Sequence, residues 1–188
     1  MIPHRTAALL LLTLVGVSAC DRAPAEEMPP TSGVVPPELS MDSGLAAFLH
    51  EGPIDLGSSR TSVVAQLGEP DSLVARTVAN RHDPSVMDSV FELHYDGLTA
   101  ELHRAGYDGK EMLTGVVISD ARFVTPAATV RPGTPEAELL SEFGDPTDRG
   151  GDRLRYVCDA CLVSGHETVD FTVAGGVVRT IRIQYWIE

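Results

Sequence analysis

Apolar and polar positions along this chain change period twice, in the same order each time. From Gly57 to Pro70 the apolar residues Val63, Val64 and Leu67 fall on one helical stripe, and Gly68-Glu69-Pro70 closes the run. Ser58 or Ser59 supplies an oxygen for helix amides that otherwise lack a partner. Gly68 suits the left-handed backbone that stops a helix, and Pro70 prevents its resumption. Seventy-six positions further on, Gly133 to Pro146 repeats the pattern without a gap. There Thr134 is the predicted cap, Pro135 the first helical residue, Leu139, Leu140 and Phe143 the stripe, and Gly144-Asp145-Pro146 the stop. Each predicted helix has barely three turns and needs a sheet to lie on.

Behind each helix the period drops to two. Residues 90–95 and 98–104 flank Asp96-Gly97, a pair suited to a type I′ hairpin because both central positions need positive φ. The predicted register pairs Tyr95 with Leu98, Leu93 with Ala100 and Phe91 with Leu102, which puts all six on one face. A third strand is predicted over 112–118, and 123–130 reads as the link to the second copy. That copy has strands over 153–158, 167–173 and, after Gly175-Gly176, 177–187. Upstream, Leu45, Phe48 and Leu49 predict a short helix over 41–49, ended by Gly52-Pro53. The fold class expected is α+β: a tandem repeat of helix plus three-stranded antiparallel meander, helices packed on one face of the sheet. The units are a short helical segment at 41–55 and repeats at 56–123 and 124–188.

The N-terminus changes the picture of where the protein works. His4 and Arg5 precede an apolar run from Ala7 to Val17 that is too short to span a bilayer. It ends in Val17-Ser18-Ala19-Cys20, which resembles the lipobox of bacterial lipoproteins. That resemblance implies removal of residues 1–19, acylation of the Cys20 thiol, and a body tied to the cell envelope by its acyl chains. Asp21 resembles an inner-membrane retention signal of enterobacteria, and the outer membrane is the alternative address. Residues 20–40, with Pro24, Pro29, Pro30, Pro36 and Pro37, read as a flexible stalk. The formal net charge is −13, and losing the signal removes one arginine and no acid. Such a surface repels nucleic acid and anionic lipid, so neither is an expected ligand.

The run Gly-x-x-x-x-x-[Val/Leu]-x-x-x-[Leu/Phe]-Gly-x-Pro, followed by an aromatic-bearing strand and an alternating hairpin, resembles the BamE (SmpA/OmlA) lipoproteins of outer-membrane assembly. Two such units in one chain resemble the β-lactamase inhibitory protein (BLIP) fold. The resemblance spans Leu56 to the C-terminus and implies helices on one face of an antiparallel sheet, with the open face free to grip a protein. It carries no residue roles, because BamE-type proteins hold one unit and the inhibitor's enzyme-entering loops do not align with this chain.

Candidate chemistry is sparse. Glu92, His94, Glu101 and His103 lie opposite the apolar face of the first hairpin, with Glu92 directly across from Glu101. They read first as a solvated face in which imidazoles offset two carboxylates, and second as ligands for a divalent metal such as zinc. Cys158-Asp159-Ala160-Cys161 falls between two strands in an oxidising compartment and reads first as a local disulfide. A zinc site drawing on His166, or a redox pair, are the alternatives, although no helix start is signalled to activate a thiol. The last strand alternates Ile181, Ile183, Tyr185 and Ile187 with Arg182, Gln184, Trp186 and Glu188. If the isoleucines face the helices, Trp186 stands beside Arg182 on the polar face, the composition of a contact hot spot, or else covers the sheet edge.

Neither a Gly-x-Ser-x-Gly elbow, a His-Glu-x-x-His pair nor a phosphate-binding glycine loop occurs, and Ser164-Gly165-His166 has no evident acid partner. The expected function is a non-catalytic protein-binding module of the bacterial envelope without a cofactor, acting in outer-membrane assembly or envelope maintenance. Trp186, Arg182, His94 and His103 are its expected partner-contacting residues. Two alternatives stand beside it: a metal-binding or redox accessory lipoprotein, and an inhibitor of a periplasmic hydrolase.

Overall fold

Eight antiparallel strands form one sheet in the order β1-β2-β3-β4-β8-β7-β6-β5 in the computed structural model, which describes residues 41–124, 128–158, 161 and 167–185. The strands are β1 (Ser72–Ala79), β2 (Met87–Tyr95), β3 (Leu98–Arg104), β4 (Glu111–Ile118), β5 (Asp148–Gly150), β6 (Arg153–Cys158), β7 (Glu167–Ala174) and β8 (Val177–Gln184). The helices are α1 (Met41–His50), α2 (Arg60–Leu67) and α3 (Glu136–Phe143), with a 3-10 turn at Ala121–Phe123. All these elements belong to one compact unit.

The expected α+β repeat of a helix and three strands is therefore corrected. The molecule is predominantly β, a single eight-stranded sheet with three short helices, and α2 and α3 are each followed by four strands. The two strands that pattern did not reveal are the edges. No residue of β1 is fully buried, so Leu73 and Val74 stand side by side without the alternation a half-buried strand shows. The three residues of β5 are too few to register as a pattern.

The halves meet where β4 pairs with β8, through Gly115–Gln184, Val116–Ile183, Val117–Arg182 and Ile118–Ile181. The strand order thus reads the same from either edge. Each half carries a register shift between its last two strands, at Glu101/Leu102 and at Thr172/Val173. A tyrosine of the second strand in each half bonds the helix-stop glycine: Tyr95 Oη donates to the Gly68 carbonyl at 3.1 Å, and Tyr156 Oη to the Gly144 carbonyl at 2.9 Å. Both glycines have positive φ with extended ψ, 86° and −175° at Gly68 and 72° and −157° at Gly144. That is the region open essentially to glycine alone, rather than the left-handed helical one expected.

The first hairpin pairs as the sequence predicts, Tyr95 with Leu98, Leu93 with Ala100 and Phe91 with Leu102. Ser59 caps α2, its Oγ accepting from the Ser62 amide at 3.3 Å. Thr134 does not cap α3. Its Oγ1 accepts from the Arg131 amide at 3.0 Å, Pro135 is the cap residue, and Pro135 bridges to Val177. The chain there extends the sheet before it turns into the helix, which takes Thr134 out of reach of the helix amides.

On one sheet face, inside the exposed edge at Leu73, large side chains are buried beneath the helices, from Leu93, Leu98 and Leu113 in the first half to Leu154, Phe171 and Ile183 in the second. α1 precedes the first repeat in sequence yet packs on α3 and β6 of the second. Phe48 brings its ring 5.6 Å from Phe143 and 6.0 Å from Phe171. Helix cover on one side leaves the other sheet face open, where polar residues lie with Val74, Val90 and Val117 among them.

Candidate protein-binding face

Alternation sends Glu92 and His94 of β2, Thr99, Glu101 and His103 of β3, Val117 of β4 and Arg182 of β8 to the uncovered face. Pairing then builds a transverse row. His94 lies opposite Thr99, Thr99 opposite Val117, Val117 opposite Arg182, Arg182 opposite Asp170, and Asp170 opposite Arg155. His94 and Arg182 are thus brought into one line, three strands or about 14 Å apart at the usual strand spacing. At the far end, Arg155 holds the Asp170 carboxylate in two bonds of 2.6 and 2.7 Å. Arg182 itself is exposed beside the apolar Val117.

The expected glutamate pair is real, with Glu92 directly opposite Glu101, but the group that relieves its repulsion was not foreseen. Arg76 reaches over from β1, placing Nε 3.6 Å from Glu92 Oε1 and Nη2 3.3 Å from Glu101 Oε2. His94 joins at the side, Nε2 3.5 Å from Glu92 and Nδ1 3.2 Å from Thr99 Oγ1. These are exposed ion pairs, which fix side-chain directions more than they stabilise. No three His, Cys, Asp or Glu side chains converge as a metal site requires among the described residues.

His103 is drawn away from this group. Its Nε2 lies 3.1 Å from Asp88 Oδ2, and the Asp88 side chain is 3% exposed. The same carboxylate accepts from the Gly106 amide at 2.8 Å and from Asn80 Nδ2 at 2.8 Å. It lines a cavity of about 530 Å³ together with Arg81, His82, Tyr107 and Lys110. The Gly106 amide holds the Asp88 carboxyl below its usual range, outweighing the opposing effect of burial, and Asn80 and His103 add to the depression. A carboxyl with a depressed folded pKa stabilises the protein above its unfolded pKa and ceases to do so as pH falls through the folded one. Asp88→Asn should therefore lower the melting temperature at pH 7, and its gap from the parent should narrow as pH drops below about 4. A gap independent of pH would show that the charge on Asp88 is not what matters.

Cys158 and Cys161 are joined in a disulfide, with Cα atoms 5.4 Å apart. They are 0% and 2% exposed, a placement that shields the sulfurs from thiol exchange. Ile181 and Ile183 face the helices as expected, and so does Tyr185, whose phenol burial and then Glu167 push up to about 12. Trp186, His166 and the proposed lipidation site Cys20 lie outside the described residues. The residues that sequence reasoning missed, Arg76, Asn80 and Asp88, share one cause. All depend on β1 and the turn after it, and a strand without alternation leaves them no visible place on a face.

No family model matches the chain, and no curated protein matches it by sequence. Among solved structures, a candidate beta-lactamase inhibitor protein from Streptococcus mutans overlaps 66% of this chain and 80% of its own, with 14% identity and a TM-score of 0.26. At that score the overlap does not establish a common fold. The BamE likeness finds no counterpart in these comparisons.

Proposed function

We propose that this protein is a non-catalytic binding module of the bacterial cell envelope, anchored through an acylated Cys20, that holds a protein partner on the uncovered face of its sheet. The observation that carries the reading is the one-sided cover. All three helices belong to the face that buries Leu93, Phe171 and Ile183, and the opposite face carries the row from His94 through Val117 to Arg182. A charged, planar guanidinium beside an apolar side chain on a broad sheet suits a protein surface better than a small molecule. Trp186, two residues beyond the end of β8 at Gln184, is the aromatic anchor of the proposal on the sequence pattern alone. His103, held by Asp88, is not part of this row.

The test is recovery of partners from crosslinked membranes with the full chain. Arg182→Ala and Trp186→Ala should each sharply reduce recovery of a partner that the parent chain captures, whereas Glu142→Ala, exposed on α3, should not. Full recovery with both face variants would overturn the reading. Fractionation of a Cys20→Ala variant tests the anchor separately, with release from the membrane as the expected result.

A further inference from the structure

The two edges of the sheet are built in opposite ways, and the internal repeat makes the comparison pointed. At one edge β5 has three residues, Asp148-Arg149-Gly150, with Arg149 bonded to Glu136 at 2.8 Å and Asp148 to Arg153 at 2.7 Å. Short length and charge are among the usual means of keeping an edge from pairing with another chain. The other edge is long, and its one charge, Arg76, is engaged by Glu92 and Glu101 on the sheet face. β1 runs for eight residues, Ser-Leu-Val-Ala-Arg-Thr-Val-Ala, without proline, lysine or an acid, and its outer side has no strand partner among the described residues. Leu73, Val74 and Met87 of this edge hairpin are 51%, 47% and 52% exposed, and among the described residues they stand with Leu56 and Tyr107 as the exposed large apolar side chains.

On the helix side of β1 the cover stops short. α2 leaves a groove whose apolar part is Val64, Leu73 and Leu93 and whose mouth carries Glu69 and Asp71. Arg60, which also lines it, is committed to Glu111 at 2.8 Å. An acidic mouth on a chain of net charge −13 selects a cationic occupant and disfavours a second copy of the same chain.

We propose that β1 takes up an extended, net-cationic strand of a partner protein by strand addition, with one apolar side chain of that strand seated on Leu73 and Val64 and a lysine or arginine at Glu69 and Asp71. Main-chain hydrogen bonds along β1 supply affinity, and the groove and its acidic mouth supply selectivity. This contact is separate from the uncovered face, and its failure would leave the face reading intact.

The probe is a capped eight-residue synthetic peptide alternating valine and lysine, titrated against the full chain in detergent. The amides of residues 73, 75, 77 and 79, which point away from β2, should gain hydrogen-exchange protection on binding. Methylating alternate peptide nitrogens, which removes main-chain donors without touching the protein, should weaken binding at least about tenfold. Replacing each lysine by glutamate should do the same, and so should Leu73→Lys, a change at a half-exposed position that leaves the core intact. Three results would overturn the proposal. They are binding unaffected by N-methylation, binding that leaves the outward amides of 73, 75, 77 and 79 exchanging freely, and protection of those outward amides before peptide is added, which would mean the edge is already occupied.

Discussion

Phe171→Ala is expected to destabilise the folded chain by about 3–5 kcal/mol, the largest effect of any single truncation considered. Phe171 is 0% exposed on the helix side of β7. Its ring centroid lies 6.0 Å from Phe48, 5.8 Å from Phe143 and 5.7 Å from Tyr156. Those neighbours come from α1, α3 and β6, so no single one can swing in to fill the space, and a cavity remains. Urea unfolding of the full chain measures the effect, and Phe171→Leu, which keeps most of the volume, should cost clearly less. A loss below about 1 kcal/mol for the alanine variant would mean that α1 and α3 do not meet over this ring.

Ile181→Ala should cost about 2–5 kcal/mol and leave unfolding cooperative. Ile181 is 0% exposed, pairs with Ile118 across the seam and neighbours Phe171 on β7. The seam has only four residue pairs, yet buried side chains from both halves form one continuous core beneath it. Weakening the seam should therefore lower the whole molecule's stability together, with circular dichroism and fluorescence transitions that still coincide. Two separated transitions would show that the repeats are independent domains.

How much of this was legible depended on whether a residue's surroundings are local. The Asp96-Gly97 hairpin and its register were readable because turn chemistry and alternation agree within a few residues. The helix stops at Gly68 and Gly144 were readable for the same reason, although the tyrosines that bond their carbonyls lie 27 and 12 residues away. β1 was not readable, since an edge with neither face covered is under no pressure to alternate. Losing β1 hid Arg76, and with it the reason Glu92 and Glu101 can stand opposite each other. It also hid the turn that places Asn80 against Asp88 and so directs His103 away from the glutamates. Of the expected contact residues, His94 and Arg182 fall in one transverse row, and His103 is engaged elsewhere.

The most direct measurement of the central proposal is site-specific photocrosslinking of the full chain in growing cells. A photoreactive residue is placed in turn at positions 94 and 182 on the uncovered face and at 138 and 142 on the exposed side of α3. A discrete protein adduct from 94 and 182, with none from 138 and 142, is the expected result. Adducts from α3 alone, or none from the sheet, would contradict it.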